Sequence, residues 1–198
     1  MNGLEWIRRG LRAIVYAGLS VRSASRLALV RLLYANVRIG RGVTVGRAVT
    51  IVVASRGTLV IGDRVVIGPN VHLMVEFGSL TIGDDSFIGD GCVIVAQDSI
   101  RIGRDALIAA YCTLRDQDHG FADPALPYRS QPVTKGPIAV GDNVWLGAHV
   151  TVLKGRTIGD NAIVGANSVV TADVAPGSVF AGNPARLIRR LGEDGGEA

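Results

Sequence analysis

The stretch from residue 138 to residue 170, IAVGDNVWLGAHVTVLKGRTIGDNAIVGANSVV, places an aliphatic residue at every sixth position. These residues are Val140, Leu146, Val152, Ile158, Val164 and Val170, and four of them are followed directly by glycine. A period of six differs from the 3.6-residue period of a helix and indicates a separate repeating unit. Together with the frequent glycines, it predicts short strands joined by tight turns.

The same spacing continues upstream to residue 39. Triplets of aliphatic residues spaced by six begin at residues 39, 61, 82, 102, 140 and 158. Three hexads make one coil, so the repeat predicts six coils. The intervals between the end of one triplet and the start of the next are 10, 9, 8, 26 and 6 residues. All extra residues therefore enter at one corner of a three-sided coil, where a site can be added without disturbing the stack.

Inward-facing positions in such a coil must be small or apolar in every repeat. One predicted inward ladder is Val71, Cys92, Cys112, Val150 and Ser168, and predicted corner residues are Asp63, Asp84, Asp142, Asn143, Asp160 and Asn161. The two cysteines then lie on successive coils about 4.8 Å apart, which suits a disulfide poorly. We expect two buried free thiols and an intracellular, cytoplasmic location.

The composition narrows the class of protein. With 48% apolar and 19% charged residues, most of the 198-residue chain is expected to fold. The net charge of +4 is spread along the chain without an aromatic-rich basic strip, so no nucleic-acid partner is predicted. The apolar run from Ala13 to Val21 is too short to span a bilayer, which needs about 20 residues.

Residues 1–36 lie outside the repeat and carry two helical patterns. Leu4, Ile7, Leu11, Ile14 and Val15 keep helical spacing, and residues 25–34 predict a second helix. One interpretation is a helical cap over the open first coil. The alternative is a basic amphipathic helix on a membrane surface. We favour the cap, and peripheral membrane contact stays open.

The end of the repeat resembles a known family. The segments VWLG at 144–147, VGANSVVT at 164–171 and AGNPAR at 181–186 are similar to the closing sequence of the hexapeptide-repeat acyltransferases. Maltose, galactoside and polysaccharide-precursor O-acetyltransferases are the closest in type. The resemblance implies an all-β fold, a left-handed parallel β-helix of about six coils, with an N-terminal helical cap and a short C-terminal helix. General rules for parallel strands favour the opposite hand.

The predicted organisation has three parts. Residues 1–36 form the N-terminal helical segment, and residues 37–190 form the β-helix with an inserted loop at 115–137. Residues 191–198 form a flexible tail.

His119 is the main catalytic candidate. It lies inside the 26-residue interval, where the family has its catalytic histidine. The resemblance implies a general base that takes the proton of an acceptor as the acceptor attacks the acyl-CoA thioester, and imidazole suits this role near neutral pH. Asp116 or Asp118 is a candidate to orient it. His72 and His149 are expected on the surface, and no metal site is predicted.

The resemblance also assigns binding roles. It places Trp145 beside the active site, the pantetheine arm along Ala148, Ala166 and Thr171, and the nucleotide phosphates near Arg186 and Arg189. Tyr128 and Arg129 lie in the long loop that is expected to shape the acceptor pocket. Gly120 follows His119 where the sugar acetyltransferases have proline, and the upstream Gly89-Asp90-Gly91 offers no clear match for the family's polar residue.

The predicted function is transfer of an acetyl group from acetyl-CoA to a hydroxyl of a sugar, glycan precursor or other small alcohol. Acetyl-CoA, or another acyl-CoA, is a co-substrate, and no permanently bound cofactor is expected. The family groove lies between subunits, so a homotrimer is implied. The alternatives are an N-acyltransferase acting on an amino sugar or amine, and a non-catalytic β-helix scaffold.

Overall fold

The computed structural model describes residues 25, 27–32 and 34–192. Residues 27–32 are helical, which confirms the second predicted helix over these residues. Leu27 is buried in the core, and Val30 and Tyr34 pack against the core at the first coil. The first predicted helix lies outside the described residues. Among the described residues, no helix is long and apolar enough to cross a membrane.

Three parallel sheets form the sides of a three-sided solenoid. The first sheet contains β1 (Val37–Ile39), β4 (Thr58–Ile61), β7 (Ser79–Ile82), β10 (Ser99–Ile102), β15 (Ile138–Val140) and β18 (Thr157–Ile158). The second contains β2 (Thr44–Val45), β5 (Val66–Ile67), β8 (Phe87–Ile88), β11 (Leu107–Ile108), β16 (Trp145–Leu146), β19 (Ile163–Val164), β21 (Ser178–Ala181) and β22 (Arg186–Arg190). The third contains β3 (Thr50–Val53), β6 (His72–Val75), β9 (Val93–Ala96), β12 (Thr113–Arg115), β17 (Thr151–Val152) and β20 (Val169–Val170).

The strand register follows the six-residue period. In the first sheet, Ile39 pairs with Ile61, and the same column continues through Ile82, Ile102, Val140 and Ile158. Ile102 and Val140 are direct neighbours despite the long insertion between them. The six predicted coils are therefore confirmed.

The corner between the first and second sheets, which we call the aspartate corner, carries a hydrogen-bond ladder. The Oδ1 atoms of Asp63, Asp84, Asp142 and Asp160 each accept a 2.8 Å bond from a backbone N–H of the preceding coil. The residue after the aspartate often has the left-handed conformation, as at Arg64 and Asn143. The predicted corner positions are confirmed, and carboxylates rather than glycines join the coils there.

The inward cysteine ladder is also confirmed. Val71, Cys92, Cys112, Val150 and Ser168 are all fully buried, and both cysteines are free. The Cys92 thiol donates to the Ala109 carbonyl at 3.1 Å, and the Cys112 thiol donates to the Gly147 carbonyl at 3.2 Å. The interaction with the Cys112 side chain, and then burial, raise the pKa of Cys92 above its usual range.

The predicted C-terminal helix is wrong. Residues 186–190 form β22, which runs antiparallel to β21 and pairs Arg186 with Ala181 and Arg190 with Ser178. The strand β21 extends the second sheet, and its outer N–H and C=O groups need partners. A strand satisfies these groups, whereas a helix would leave them without backbone partners.

The insertion at 115–137 is more ordered than a simple loop. The strands β13 (Gln117–His119) and β14 (Val133–Lys135) form an antiparallel hairpin, and a short 3-10 helix, η1 (Tyr128–Ser130), lies between them. The hairpin leaves the fourth coil at the corner that joins the third sheet to the first sheet of the next coil. We call this edge of the solenoid the hairpin corner.

Candidate active site

His119 is the last residue of β13 and is exposed to solvent. A cleft of about 390 Å³ lies between the hairpin and the coils. Its lining residues are Glu76, Gln97, Arg115, Gln117, Asp118, His119 and Val133. The structure therefore places the predicted catalytic histidine on the wall of a polar cleft.

Two residues missed by the sequence analysis form the wall of this cleft on the coil side. Glu76 and Gln97 occupy the hairpin corner of the second and third coils, and Gln97 Nε2 donates to Glu76 Oε2. The segment Gly89-Asp90-Gly91, where a polar residue was expected, lies at a different corner. Both residues lie in the stretches of unequal length between one aliphatic triplet and the next. That position is the sequence signal that could have identified them.

Asp116 does not fit its predicted role of orienting His119. Its side chain is fully buried, with Oδ1 accepting the backbone N–H of Gln97 and Oδ2 that of Asp98, both at 2.8 Å. Burial, which desolvates the carboxylate, raises the pKa of Asp116 above its usual value. Both oxygens are thus used to hold the corner beneath the hairpin.

Asp118 precedes His119 in β13, and its carboxylate contacts a lysine of the next coil. Its Oδ2 atom lies 3.3 Å from Lys154 Nζ, and the same ammonium donates to Thr134 Oγ1 at 2.8 Å. Asp118 and His119 both line the cleft. The Asp118 carboxylate is engaged by Lys154, and its predicted role of orienting His119 stays a prediction.

The long loop is held together by a buried amide. Gln131 Nε2 donates to the carbonyls of Asp123 at 2.8 Å and Leu126 at 3.1 Å. Tyr128 and Arg129 lie in η1 and are exposed. Neither residue lines the cleft around His119, so their predicted part in the acceptor pocket stays a prediction.

The residues predicted to bind CoA lie mainly on a different edge of the chain. Ala148 and Ala166 are at the corner between the second and third sheets, which we call the alanine corner. Trp145 projects from β16 on the second sheet and is 49% exposed. Thr171 lies instead at the hairpin corner, two coils beyond the hairpin.

Arg186 and Arg189 project from β22, at the end of the second sheet. One chain therefore does not bring His119 together with Trp145 and the alanine corner. The separation follows from the topology, because each corner repeats along its own edge of the solenoid.

His72 and His149 are exposed, as predicted. His149 stacks on the Tyr111 ring with a centroid separation of 5.0 Å. Within the described residues, no three His, Cys, Asp or Glu side chains form a group that could hold a metal ion.

Two family models match the repeat. Residues 137–172 match the bacterial transferase hexapeptide (six repeats), and residues 79–114 match the hexapeptide repeat of succinyl-transferase.

Three curated relatives are similar over most of the chain. A protein of Escherichia coli K12 named as a lipopolysaccharide biosynthesis O-acetyl transferase, WbbJ, is 30% identical over 88% of this chain and 89% of its own length. The galactoside O-acetyltransferase of the same organism is 34% identical over 67% of this chain and 64% of its own length. A probable acetyltransferase of Mycobacterium tuberculosis is 35% identical over 66% of this chain, and the match spans 44% of that protein.

Two solved structures share the architecture. AntD, an N-acyltransferase from Bacillus cereus, superposes with a TM-score of 0.69 at 23% identity, covering 79% of this chain and 84% of that one. A hexapeptide-repeat acetyltransferase from Vibrio cholerae, solved with acetyl-CoA, has a TM-score of 0.63 at 27% identity, covering 86% of this chain and 78% of that one. The solenoid is a left-handed parallel β-helix.

The repeat, the fold and the relatives together define an acyl-CoA-dependent acyltransferase. The chain belongs to the bacterial hexapeptide-repeat transferase family.

Proposed function

We propose that this protein transfers an acetyl group from acetyl-CoA to a hydroxyl of a sugar, glycan precursor or other small alcohol, with His119 as general base. The observation that carries the proposal is the place of His119, on a hairpin inserted at the variable corner and lining a polar cleft. The O-acetyltransferase names of two relatives support a hydroxyl acceptor.

The reaction needs no covalent enzyme intermediate. The imidazole takes the proton of the acceptor hydroxyl while its oxygen forms a bond to the thioester carbonyl carbon. The carbon–sulfur bond then breaks, and the imidazolium returns the proton to the CoA sulfur. Holding the acceptor and the thioester together supplies much of the rate enhancement.

The cleft offers groups that suit a polyhydroxylated acceptor. Glu76 accepts hydrogen bonds, and the amides of Gln97 and Gln117 donate and accept them. Arg115 is the cation among the lining residues, and a guanidinium is suited to a carboxylate or phosphate. Sugars and their phosphorylated precursors fit this set of groups.

A second copy of the chain completes the site in this proposal. His119 lies at the hairpin corner, whereas Trp145, Ala148 and Ala166 lie along the second sheet and the alanine corner. Packing one chain beside another brings these two edges together, and three copies close the arrangement into a homotrimer. An exposed apolar row of Val66, Phe87, Leu107 and Trp145 on the second sheet is a suitable contact surface.

Acetyl-CoA then lies in the groove between subunits. The pantetheine arm runs along Ala148 and Ala166, and Arg186 and Arg189 meet the nucleotide phosphates. Thr171 lies at the hairpin corner, as His119 does, and is therefore placed near the acetyl end of acetyl-CoA. An acyl-CoA donor and two free thiols fit a cytoplasmic location.

The test is release of the CoA thiol from acetyl-CoA across a panel of hydroxyl and amino acceptors. We expect turnover with hydroxyl acceptors, and His119→Ala to lower the turnover by roughly 10²- to 10⁴-fold. His72→Ala, which removes an exposed histidine on the third sheet, is the matched control and should keep the parental rate.

Each alternative has its own outcome in this assay. Turnover only with amino acceptors would replace O-transfer by N-transfer. A folded His119→Ala protein with the parental turnover would exclude the general-base mechanism. Loss of activity on exhaustive chelation would contradict a metal-free reaction.

A further inference from the structure

The chain has only two lysines among its 21 basic residues, and both join the hairpin that carries His119 to the coils. Lys135 is the last residue of β14, and Lys154 lies in the hairpin corner of the fifth coil. The two lysines hold the hairpin from opposite directions along the solenoid. Two of the residues that they contact, Asp118 and Gln97, also line the cleft.

Lys154 holds the hairpin to the coil above. Its ammonium lies 3.3 Å from Asp118 Oδ2 and donates to Thr134 Oγ1 at 2.8 Å. Asp118 and Thr134 are paired residues of β13 and β14, so one ammonium joins both strands to the fifth coil. The Lys154 side chain is 26% exposed.

Lys135 holds the hairpin to the coils below. Its ammonium donates to the Gln97 carbonyl at 3.2 Å and lies 5.1 Å from the centre of the Phe77 ring. Gln97 belongs to the third coil and Phe77 to the second. Lys135 also pairs with Gln117 in the hairpin, two residues from His119.

Among the described residues, the backbone bonds between the hairpin and the coils lie at the base of the hairpin. Gly136 N–H donates to the Asp116 carbonyl, and Gly155 N–H donates to the Gly136 carbonyl, both at 2.9 Å. Within the described part of the chain, the polar side-chain contacts between the strands β13 and β14 and the coils all involve a lysine. The lysines therefore define where the far end of β13, with His119, lies relative to the coils.

We infer that Lys135 and Lys154 are positioning residues that hold the His119 imidazole against the cleft wall formed by Glu76 and Gln97; this inference rests on the proposed function of His119. The ion pair of Lys154 is partly exposed, and such pairs contribute little to stability. A misplacement of a catalytic group by about 1 Å, in contrast, costs about 10²-fold in rate. The lysines should therefore affect turnover far more than folding.

The experiment compares Lys154→Met with Lys154→Arg. Methionine keeps the aliphatic stem but loses the charge, whereas arginine keeps a cation for Asp118. We expect Lys154→Met to lower the turnover by about 10- to 100-fold, with the KM for acetyl-CoA and the Tm close to the parental values. Lys154→Arg should restore most of the lost turnover. Arg38→Ala, which removes an exposed cation from the first sheet, is the control.

A double-mutant cycle with His119→Ala identifies the route of the effect. If Lys154 acts through His119, Lys154→Met should cause little further loss in the His119→Ala background. An equal loss in both backgrounds, or a parental turnover for Lys154→Met, would overturn the inference while leaving the general base intact. A parental turnover for His119→Ala would overturn the proposed function and this inference with it.

A second readout follows the hairpin itself. Trypsin cleavage after Arg129, in the loop between β13 and β14, should become several-fold faster in Lys154→Met than in Lys154→Arg, because a released hairpin exposes its loop more often. An unchanged cleavage rate would show that Lys154 does not hold the hairpin.

Discussion

The Asp116 carboxylate accepts the backbone N–H of Gln97 at 2.8 Å, joining the fourth coil to the third directly beneath the hairpin. Its other oxygen accepts the N–H of Asp98 at the same distance. Both backbone N–H groups point at the fully buried Asp116 side chain, and each finds an acceptor there. Asp116 thus supports the platform from which β13 begins.

Asp116→Asn should destabilise the protein. An amide offers one acceptor oxygen and places an NH₂ group against the second backbone donor, so one buried donor loses its partner. The expected cost is about 1–3 kcal/mol in the free energy of unfolding, measured with urea. Asp98→Asn, an exposed change at the same corner, should alter it by less than about 0.5 kcal/mol. Equal stability of Asp116→Asn and the parent would contradict this account.

The sequence predicts the solenoid because its strands obey a strict period. Each aliphatic residue at the six-residue spacing must face inward, so the register of Ile102 with Val140 follows even across 37 intervening residues. The hairpin has no such period. Its strands are three residues long and pair through backbone bonds, which leave no hydrophobic signature in the sequence.

The candidate site, like the fold, could be predicted from the sequence only in part. His119 is identified by its place in the largest interval, but Asp116 was assigned by proximity in sequence alone. Burial and two backbone donors determine what Asp116 does, and neither is visible in the sequence. The C-terminal strand was missed because residues 186–191, RLIRRL, also fit a helical pattern, and the need of β21 for a partner appears only in the fold.

Asp142 should contribute to acid sensitivity. Its pKa is held below its ordinary value of 3.8, mainly by the backbone N–H of Arg104, with help from the Arg104 guanidinium at 3.3 Å. Because the folded pKa is lowered, the unfolded chain binds more protons. The stabilisation is therefore complete above the unfolded pKa and is lost as the pH falls through the folded pKa.

The measurement is urea unfolding of Asp142→Asn and the parent at about pH 7 and about pH 3. The variant should be the less stable protein at neutral pH, and the difference should shrink in acid. Asp105→Asn is the control, since its exposed side chain has no hydrogen bond or ion pair among the described residues. A difference that is the same at both pH values would show that the carboxylate charge is not involved.

The two cysteines should behave as protected thiols. Both are buried on successive coils, and the raised pKa of Cys92 keeps its thiol protonated at neutral pH. The native protein should react slowly with a thiol reagent and show two thiols after denaturation. Ser130→Cys adds an exposed thiol in η1 as a positive control that reacts at once. Mass spectrometry showing a Cys92–Cys112 bridge in the native protein would contradict this prediction.

The division of the site between two edges predicts complementation between inactive variants. His119→Ala removes the base at the hairpin corner, and Ala166→Trp is designed to block the groove at the exposed alanine corner. If each site takes His119 from one chain and the groove from its neighbour, every mixed trimer contains one intact site. Random mixing of equal amounts makes about three quarters of the trimers mixed, so activity should recover to about a quarter of the parental value. The assay is thiol release after the two variants are unfolded and refolded together, with each variant refolded alone as control. No recovery in mixed trimers, verified by a size tag on one variant, would place His119 and the CoA groove within a single chain.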